Sequence, residues 1–294
     1  MRIFIADAFT AVRFSGNQAG VVLLEDGEDF PENAWMQKLA AELKHSETAF
    51  VRRTSERAFQ ICYFTPDGEV ELCGHATIEA FTVLWEEKIA TPGICQLSTT
   101  AGELEIEVSE HAVWMDMAPP KEARNFSEEE ITELYAAYEL TPEDMPAALR
   151  PKVVSTGLCD ILLPLASRAA LERAVQKEAE VIRLSRKYGV VGFHLFWPSL
   201  KSGETAHCRN FAPLYAIPEE AATGTSNGAL TYYLYQYGLI RPDAENRFIQ
   251  GESMGKPSKI LSRQSLPEGA PKIRIGGQAV VTLSAELCSQ EAGK

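Results

Sequence analysis

Alternation and helical spacing of apolar residues divide the chain into short strands and a few helices. Arg2 to Phe9 and Gly20 to Leu24 read as strands joined by a loop whose Phe14-Ser15-Gly16-Asn17 suits a turn. Pro31 opens a helix in which Trp35, Met36, Leu39, Ala40 and Leu43 recur on one face, a stripe that stops near Lys44. Thr48 to Arg52 and Ala58 to Phe64 read as strands. So does Glu103 to Val108, where Leu104, Ile106 and Val108 alternate with glutamates and predict one wet face. Gly74 to Glu87 has helical spacing but is apolar on most sides through Ala76, Ile78, Ala80, Phe81, Val83, Leu84 and Trp85. That pattern predicts a helix wrapped by sheet rather than one lying on a surface.

The second half repeats this order. Asn210-Phe211-Ala212-Pro213 precedes a glycine-opened helix from Gly224 through Leu230, Tyr233, Leu234 and Tyr237, as Tyr63-Phe64-Thr65-Pro66 precedes the helix at Gly74. Pro119 to Pro151 is richer in Pro and Glu, carries a helix-like Glu128 to Tyr138, and marks the passage between halves. We place the boundary near residue 118, giving domains 1–118 and 119–294, with the last strand able to return to the first domain. Two similar halves imply a cleft between them.

Length agrees, since 294 residues exceed the usual size of one domain. Apolar residues at 45% and charged residues at 23% are the profile of a folded globular chain. A net charge of −13 would repel a phosphate backbone and an anionic membrane surface, so neither nucleic acid nor membrane is expected as a partner. Apolar runs fall well short of a membrane span, and the first ten residues read as a strand rather than a signal, so a cytoplasmic protein is expected. The cysteines, Cys62, Cys73, Cys95, Cys159, Cys208 and Cys288, are scattered singly without a C-x-x-C pair and read as reduced thiols. His207 and Cys208 adjoin, but neighbours on a strand point to opposite faces, so no metal site is expected.

Helix N-termini present unpaired N–H groups and the positive end of the dipole, so the helices opened by Gly74 and Gly224 are candidates to hold a carboxylate. Each glycine either lets a ligand approach the backbone closely or simply makes a tight turn. Glu47, in Ser46-Glu47-Thr48-Ala49-Phe50, sits where a helix gives way to an apolar strand. A partly buried carboxyl there would have a raised pKa and could carry protons near neutral pH, although it could equally accept backbone hydrogen bonds at a strand end. His75 taken alone is a helix-start histidine. Gly224-Thr225-Ser226-Asn227-Gly228 matches the G-x-S-x-G elbow of serine hydrolases, but that fold places its histidine after the serine, and here the last is His207. Dinucleotide and P-loop glycine patterns are absent, so no nucleotide cofactor is expected.

Several segments together resemble the phenazine-biosynthesis PhzF-like isomerase family. They are Asp7-Ala8-Phe9, Phe14 to Val21, Trp35-Met36-Gln37, Ser46 to Phe50, Tyr63 to Pro66, Glu69 to Thr77, Arg209 to Pro213 and Ala222 to Thr225, spanning most of the chain in order. The resemblance implies an α/β (α+β) fold like that of diaminopimelate epimerase: two pseudo-symmetric domains, each a mixed sheet or open barrel around a central helix, commonly in a homodimer. It makes Glu47 the catalytic acid/base and Gly74, His75, Glu220, Gly224 and Thr225 substrate-binding, with no cofactor and no metal. The expected reaction moves a proton within a small unsaturated carboxylate of the dihydro-hydroxyanthranilate kind. Glu219-Glu220-Ala221-Ala222-Thr223-Gly224-Thr225 stands where the family usually has Glu-Asp-Pro-Ala-Thr-Gly-Ser, so Glu220 replaces an aspartate, and Ala221 a proline that stiffens the backbone. Related epimerases use two cysteines; Cys73 falls at the first place and Thr223 at the second, which disfavours two-base racemisation. A catalytically inactive binding protein and a racemase using Cys73 are the alternatives.

Overall fold

The computed structural model describes residues 1–199 and 203–288. The chain forms two compact units, Met1–Met115 together with the segment from Gly277 onward, and Asp116–Gly276. The first contains β1 (Arg2–Ala8), β2 (Asn17–Leu23), β3 (Thr48–Ser55), β4 (Ala58–Phe64), β5 (Glu69–Val70), β6 (Gly93–Thr99), β7 (Gly102–Val108) and β8 (Val113–Asp116, reaching one residue past the unit). The second contains β9 (Lys121–Asn125), β10 (Lys152–Ser155), β11 (Cys159–Pro164), β12 (Gly192–Pro198), β13 (Ala206–Ala212), β14 (Ile217–Glu220), β15 (Asn246–Gln250), β16 (Ser258–Ser265) and β17 (Lys272–Gly277). The final strand, β18 (Ala279–Glu286), lies in the first unit beside β1.

Within the first unit the ladder runs β18-β1-β2-β3-β4-β6-β7-β8, antiparallel throughout except for the β2–β3 and β4–β6 pairs. Within the second it runs β9-β10-β11-β12-β13-β15-β16-β17, again parallel only at β11–β12 and β13–β15. Short β5 and β14 occupy the same place in each, beside β4 and β13. The faint repeat in the sequence is therefore a repeat of sheet order, strand for strand.

Each sheet curls over one helix. In the first unit α1 (Asn33–Leu43) lies on β3 and β4, and α2 (Gly74–Glu86) packs on β1, β2, β3, β7 and β18. Every α2 residue from His75 to Leu84 is buried, as its all-round apolar pattern requires. Phe81 packs edge-on against Phe59, with ring centroids 5.5 Å apart. In the second unit α3 (Glu128–Ala136), α4 (Arg168–Arg173) and α5 (Glu178–Tyr188) cover a core built on Tyr138, Phe193 and Phe211, while α6 (Gly224–Gln236) packs on β10, β11 and β16. Ser127 begins α3 with a capping box to Glu130. The wet face read from Glu103–Val108 is present in β7, where Ile106 and Val108 are buried and Glu103 and Glu105 exposed. No helix of the described residues is long and apolar enough to cross a membrane.

Candidate active site

Glu47 is placed by the exit of α1. Lys44 takes a left-handed conformation (φ 59°) that turns the chain through Ser46 and Glu47 toward β3. The Glu47 carbonyl accepts the Gly20 N–H at 3.1 Å just before the parallel β2–β3 ladder begins. Its side chain stands beside His75, the second residue of α2, with His75 Nε2 3.2 Å from Glu47 Oε2. Oε2 has no well-aligned hydrogen-bond donor, so the contact is an ion pair at close range rather than a directed bond. Around the ring, Asn17 Nδ2 lies 3.4 Å from Nδ1, Cys73 Sγ 3.4 Å from Nδ1, and Ser46 Oγ 3.5 Å from Nε2. The loop before Asn17 needs glycine: Gly16 has φ +72°, and a Cβ there would meet the Ala8 carbonyl oxygen at 2.2 Å.

Charge on this pair differs from the expectation. Burial opposes ionisation of Glu47, but the contact with His75 and its positive charge outweigh that, and the Glu47 pKa lies below its ordinary value, not above it. Burial likewise opposes charging of His75, but Cys73 and Glu47 together hold its pKa well above the ordinary value. The raised carboxyl predicted from sequence is thereby corrected. Its histidine partner sits at the N-terminus of the next helix, and sequence position alone did not register the pairing. Cys73 is buried, and burial foremost pushes its thiol pKa up; it also touches His75. Glu47, Cys73 and His75 are thus a set that could hold a metal, with one ligand atom of each within 4.8 Å of the others. Searching for paired cysteines could not find it.

Gly74 opens α2, and a Cβ there would meet nothing closer than Met115 Sδ at 3.7 Å, an ordinary contact. Packing does not demand glycine at this position. Sequence reading missed Glu79, one turn after His75 and fully buried, whose Oε1 accepts the Ala8 N–H at 2.9 Å. Burial raises its pKa well above the carboxylate range, with the His75 charge opposing. Its signal was present, a lone glutamate in a helix apolar on every side.

Glu220, Gly224 and Thr225 gather in the second unit. Gly224 opens α6, Glu220 accepts the Thr223 hydroxyl, and the Thr225 carbonyl accepts Thr156 Oγ1 at 2.8 Å. The backbone is held without the missing proline. Fully buried Gln250 donates to the Glu220 carbonyl at 2.8 Å and accepts the Thr223 N–H at 3.3 Å and Asn227 Nδ2 at 2.9 Å. Just before it, Arg209 forks onto Glu219 at 2.8 and 2.9 Å. Ser226 is not a presented nucleophile. It is 1% exposed, donates to Asp160 Oδ2 at 2.5 Å and accepts Asn210 Nδ2 at 2.7 Å. Burial pushes the Asp160 pKa up to about 6 and that of nearby His194 down to about 3.

Residues 6–285 match the family described as phenazine biosynthesis-like protein. The chain belongs to the phenazine biosynthesis-like family. Within it, an uncharacterized isomerase of Salmonella typhimurium is 30% identical over 300 residues, 97% of this chain and 97% of the relative. An uncharacterized isomerase of Deinococcus radiodurans is 34% identical over 285 residues, 93% of this chain and 90% of that one. The crystal structure of the Bacillus anthracis phenazine biosynthesis protein of the PhzF family covers 98% of this chain and 99% of its own, at a TM-score of 0.87 and 25% identity. The family, the isomerase class and the diaminopimelate epimerase-like α/β fold expected from the sequence all stand.

Proposed function

We propose that this phenazine biosynthesis-like isomerase shifts a proton between carbons of a small unsaturated carboxylate without a cofactor, with Glu47 carrying the proton. The observation that carries this reading is the ion pair of Glu47 and His75, 3.2 Å apart at the N-terminus of α2, with His75 buried and Glu47 partly exposed. A carboxylate with a lowered pKa is already a base at neutral pH, though a weak one, so its substrate must have an acidified C–H next to a conjugated system. Glu47 takes that proton, the C–H electron pair moves into the π system and the double bond shifts. The same carboxyl then returns the proton to a further carbon, restoring Glu47. Positive charge on His75 stabilises the negative charge that develops on the substrate, and the helix N-terminus at Gly74 suits the substrate carboxylate.

A second reading has its own observation. Cys73 Sγ lies 3.4 Å from His75 Nδ1, so a thiol could share the proton transfer as in a racemase.

The test is incubation in deuterated water with dihydro-hydroxyanthranilate and a panel of small unsaturated and amino acids, read by mass shift and ultraviolet spectrum. Conversion or exchange by the wild type that is lost in Glu47→Gln supports the one-base isomerase. If Cys73→Ser loses it equally, the thiol reading takes over. Ligand-induced protection from unfolding with neither conversion nor exchange would leave a binding protein. The same assay on Glu220→Ala and Thr225→Ala tests the substrate-binding roles implied for those residues.

A further inference from the structure

Three different metal-binding side chains converge where α2 begins, the only such group among the described residues. Glu47 comes from the approach to β3, Cys73 stands at the N-cap of α2 and His75 is its second residue. Two of the spacings come close to those of a tetrahedral site. Tetrahedral Zn²⁺, with bonds of about 2.3 Å to sulfur and about 2.0 Å to nitrogen or oxygen, holds its N and O ligands about 3.3 Å apart and its N and S ligands about 3.6 Å apart. Here His75 Nε2 lies 3.2 Å from Glu47 Oε2 and 3.8 Å from Cys73 Sγ.

We propose that Glu47, Cys73 and His75 form a binding site for a borderline-soft divalent cation, with Zn²⁺ the best fit. One thiolate, one imidazole and one carboxylate suit Zn²⁺, Co²⁺ or Cd²⁺, whereas Mg²⁺ and Ca²⁺ require a shell of oxygens. Cys73 and His75 are almost wholly buried, while Glu47 is 21% exposed, so the site borders solvent on the Glu47 side. Sγ is 3.4 Å from Nδ1, closer than to Nε2, so side-chain rotation of Cys73 and His75 is needed to aim both lone pairs at the ion. The Asn17 amide beside Nδ1, turned to present its oxygen, would accept the Nδ1–H and fix the tautomer that ligates through Nε2. A cation here occupies the carboxylate that the isomerase reading assigns to proton transfer. Metal and turnover would therefore exclude each other, a consequence that rests on that reading, whereas binding itself does not.

The test uses Co²⁺ as an optical probe on the metal-free full chain, followed by displacement with Zn²⁺ in a calorimeter. Expected are one cation per chain, a thiolate-to-cobalt band in the near ultraviolet, and visible bands of tetrahedral intensity. Mg²⁺ should not displace the cobalt. Cys73→Ser should abolish the band and Glu47→Gln should weaken affinity by about tenfold or more. Cys288→Ser, which removes the exposed thiol, should change nothing. Wild-type protein offers a check that needs no variant: Zn²⁺ should slow alkylation of Cys73, followed by peptide mass. The proposal is overturned by absence of saturable binding at micromolar Co²⁺, by a band that survives Cys73→Ser or disappears with Cys288→Ser, or by Cys73 alkylation that ignores Zn²⁺.

Discussion

Glu47 and His75, 28 positions apart in sequence, meet as an ion pair at 3.2 Å, and their opposite pKa displacements make the pair a pH-bounded source of stability. A carboxyl held below its ordinary 4.5 contributes above that value and loses its contribution as pH falls through the folded pKa. A histidine held above its ordinary 6.5 contributes fully below 6.5 and loses it as pH rises through the folded pKa. The pair therefore contributes fully between those values and erodes on both sides. In an NMR titration the His75 ring should titrate above 6.5, and in Glu47→Gln its midpoint should drop. A wild-type midpoint at or below 6.5 would sink this account.

Asp160 has the opposite sign. Its carboxyl titrates at about 6 in the fold against an ordinary 3.8, so the folded state binds the extra proton between those values and stability declines as pH rises through that window. A shift of this size corresponds to roughly 3 kcal/mol. Asp160→Asn keeps an oxygen to accept the Ser226 hydroxyl but removes this titration, so its stability should gain on the wild type as pH rises from about 4 to 6, whatever slope His194, whose lowered pKa acts in the opposite direction, adds to both proteins. Parallel chemical-denaturation curves at several pH values would decide it; equal slopes for both proteins would be the failing result.

What was legible in the sequence was local. The helix opened by Gly74 was readable because its apolar residues cover every side, and Glu47 and His75 because they stand in ordered motifs near glycines. What was illegible needed the topology. Glu79 reaches Ala8 across 71 residues and Ser226 reaches Asp160 across 66, so neither partner could be paired by spacing. The charge on Glu47 failed for the same reason: burial was foreseen, the ion pair with His75 was not. Thin strands such as β8 carry too few alternating positions to stand out.

Gly228, the last glycine of the hydrolase-like motif, has a structural explanation in Thr156. A Cβ at 228 would stand 2.7 Å from Thr156 Oγ1, the atom that donates to the Thr225 carbonyl at 2.8 Å. Gly228→Ala should cost about 1–3 kcal/mol through overpacking and loss of that bond. In a Thr156→Ala background, where the nearest remaining side-chain atoms are Met117 Cγ at 3.5 Å and the residue-156 Cβ at 3.6 Å, the same substitution should cost markedly less. Additive costs in the double-mutant cycle would refute the steric account.

Gln250, rather than the Glu220 carboxylate, holds the segment leading into α6. Its amide satisfies the Glu220 carbonyl, the Thr223 N–H and the Asn227 side chain at once, the first two partly buried and the third fully so. Replacing it with leucine of similar bulk takes these partners away, leaving Asn227 Nδ2 only the Thr223 carbonyl at 2.9 Å, at about 1–3 kcal/mol for each group left unpaired that water cannot reach. Glu220→Asp removes one methylene from a half-buried side chain and leaves the Gln250 clamp untouched, so its cost should stay below about 1 kcal/mol. Thermal unfolding should therefore show Gln250→Leu strongly destabilised and Glu220→Asp close to wild type. If Glu220→Asp proved the more damaging of the two, the carboxylate would be the element that orders this backbone, and its extra methylene would be a structural adaptation to the missing proline at Ala221.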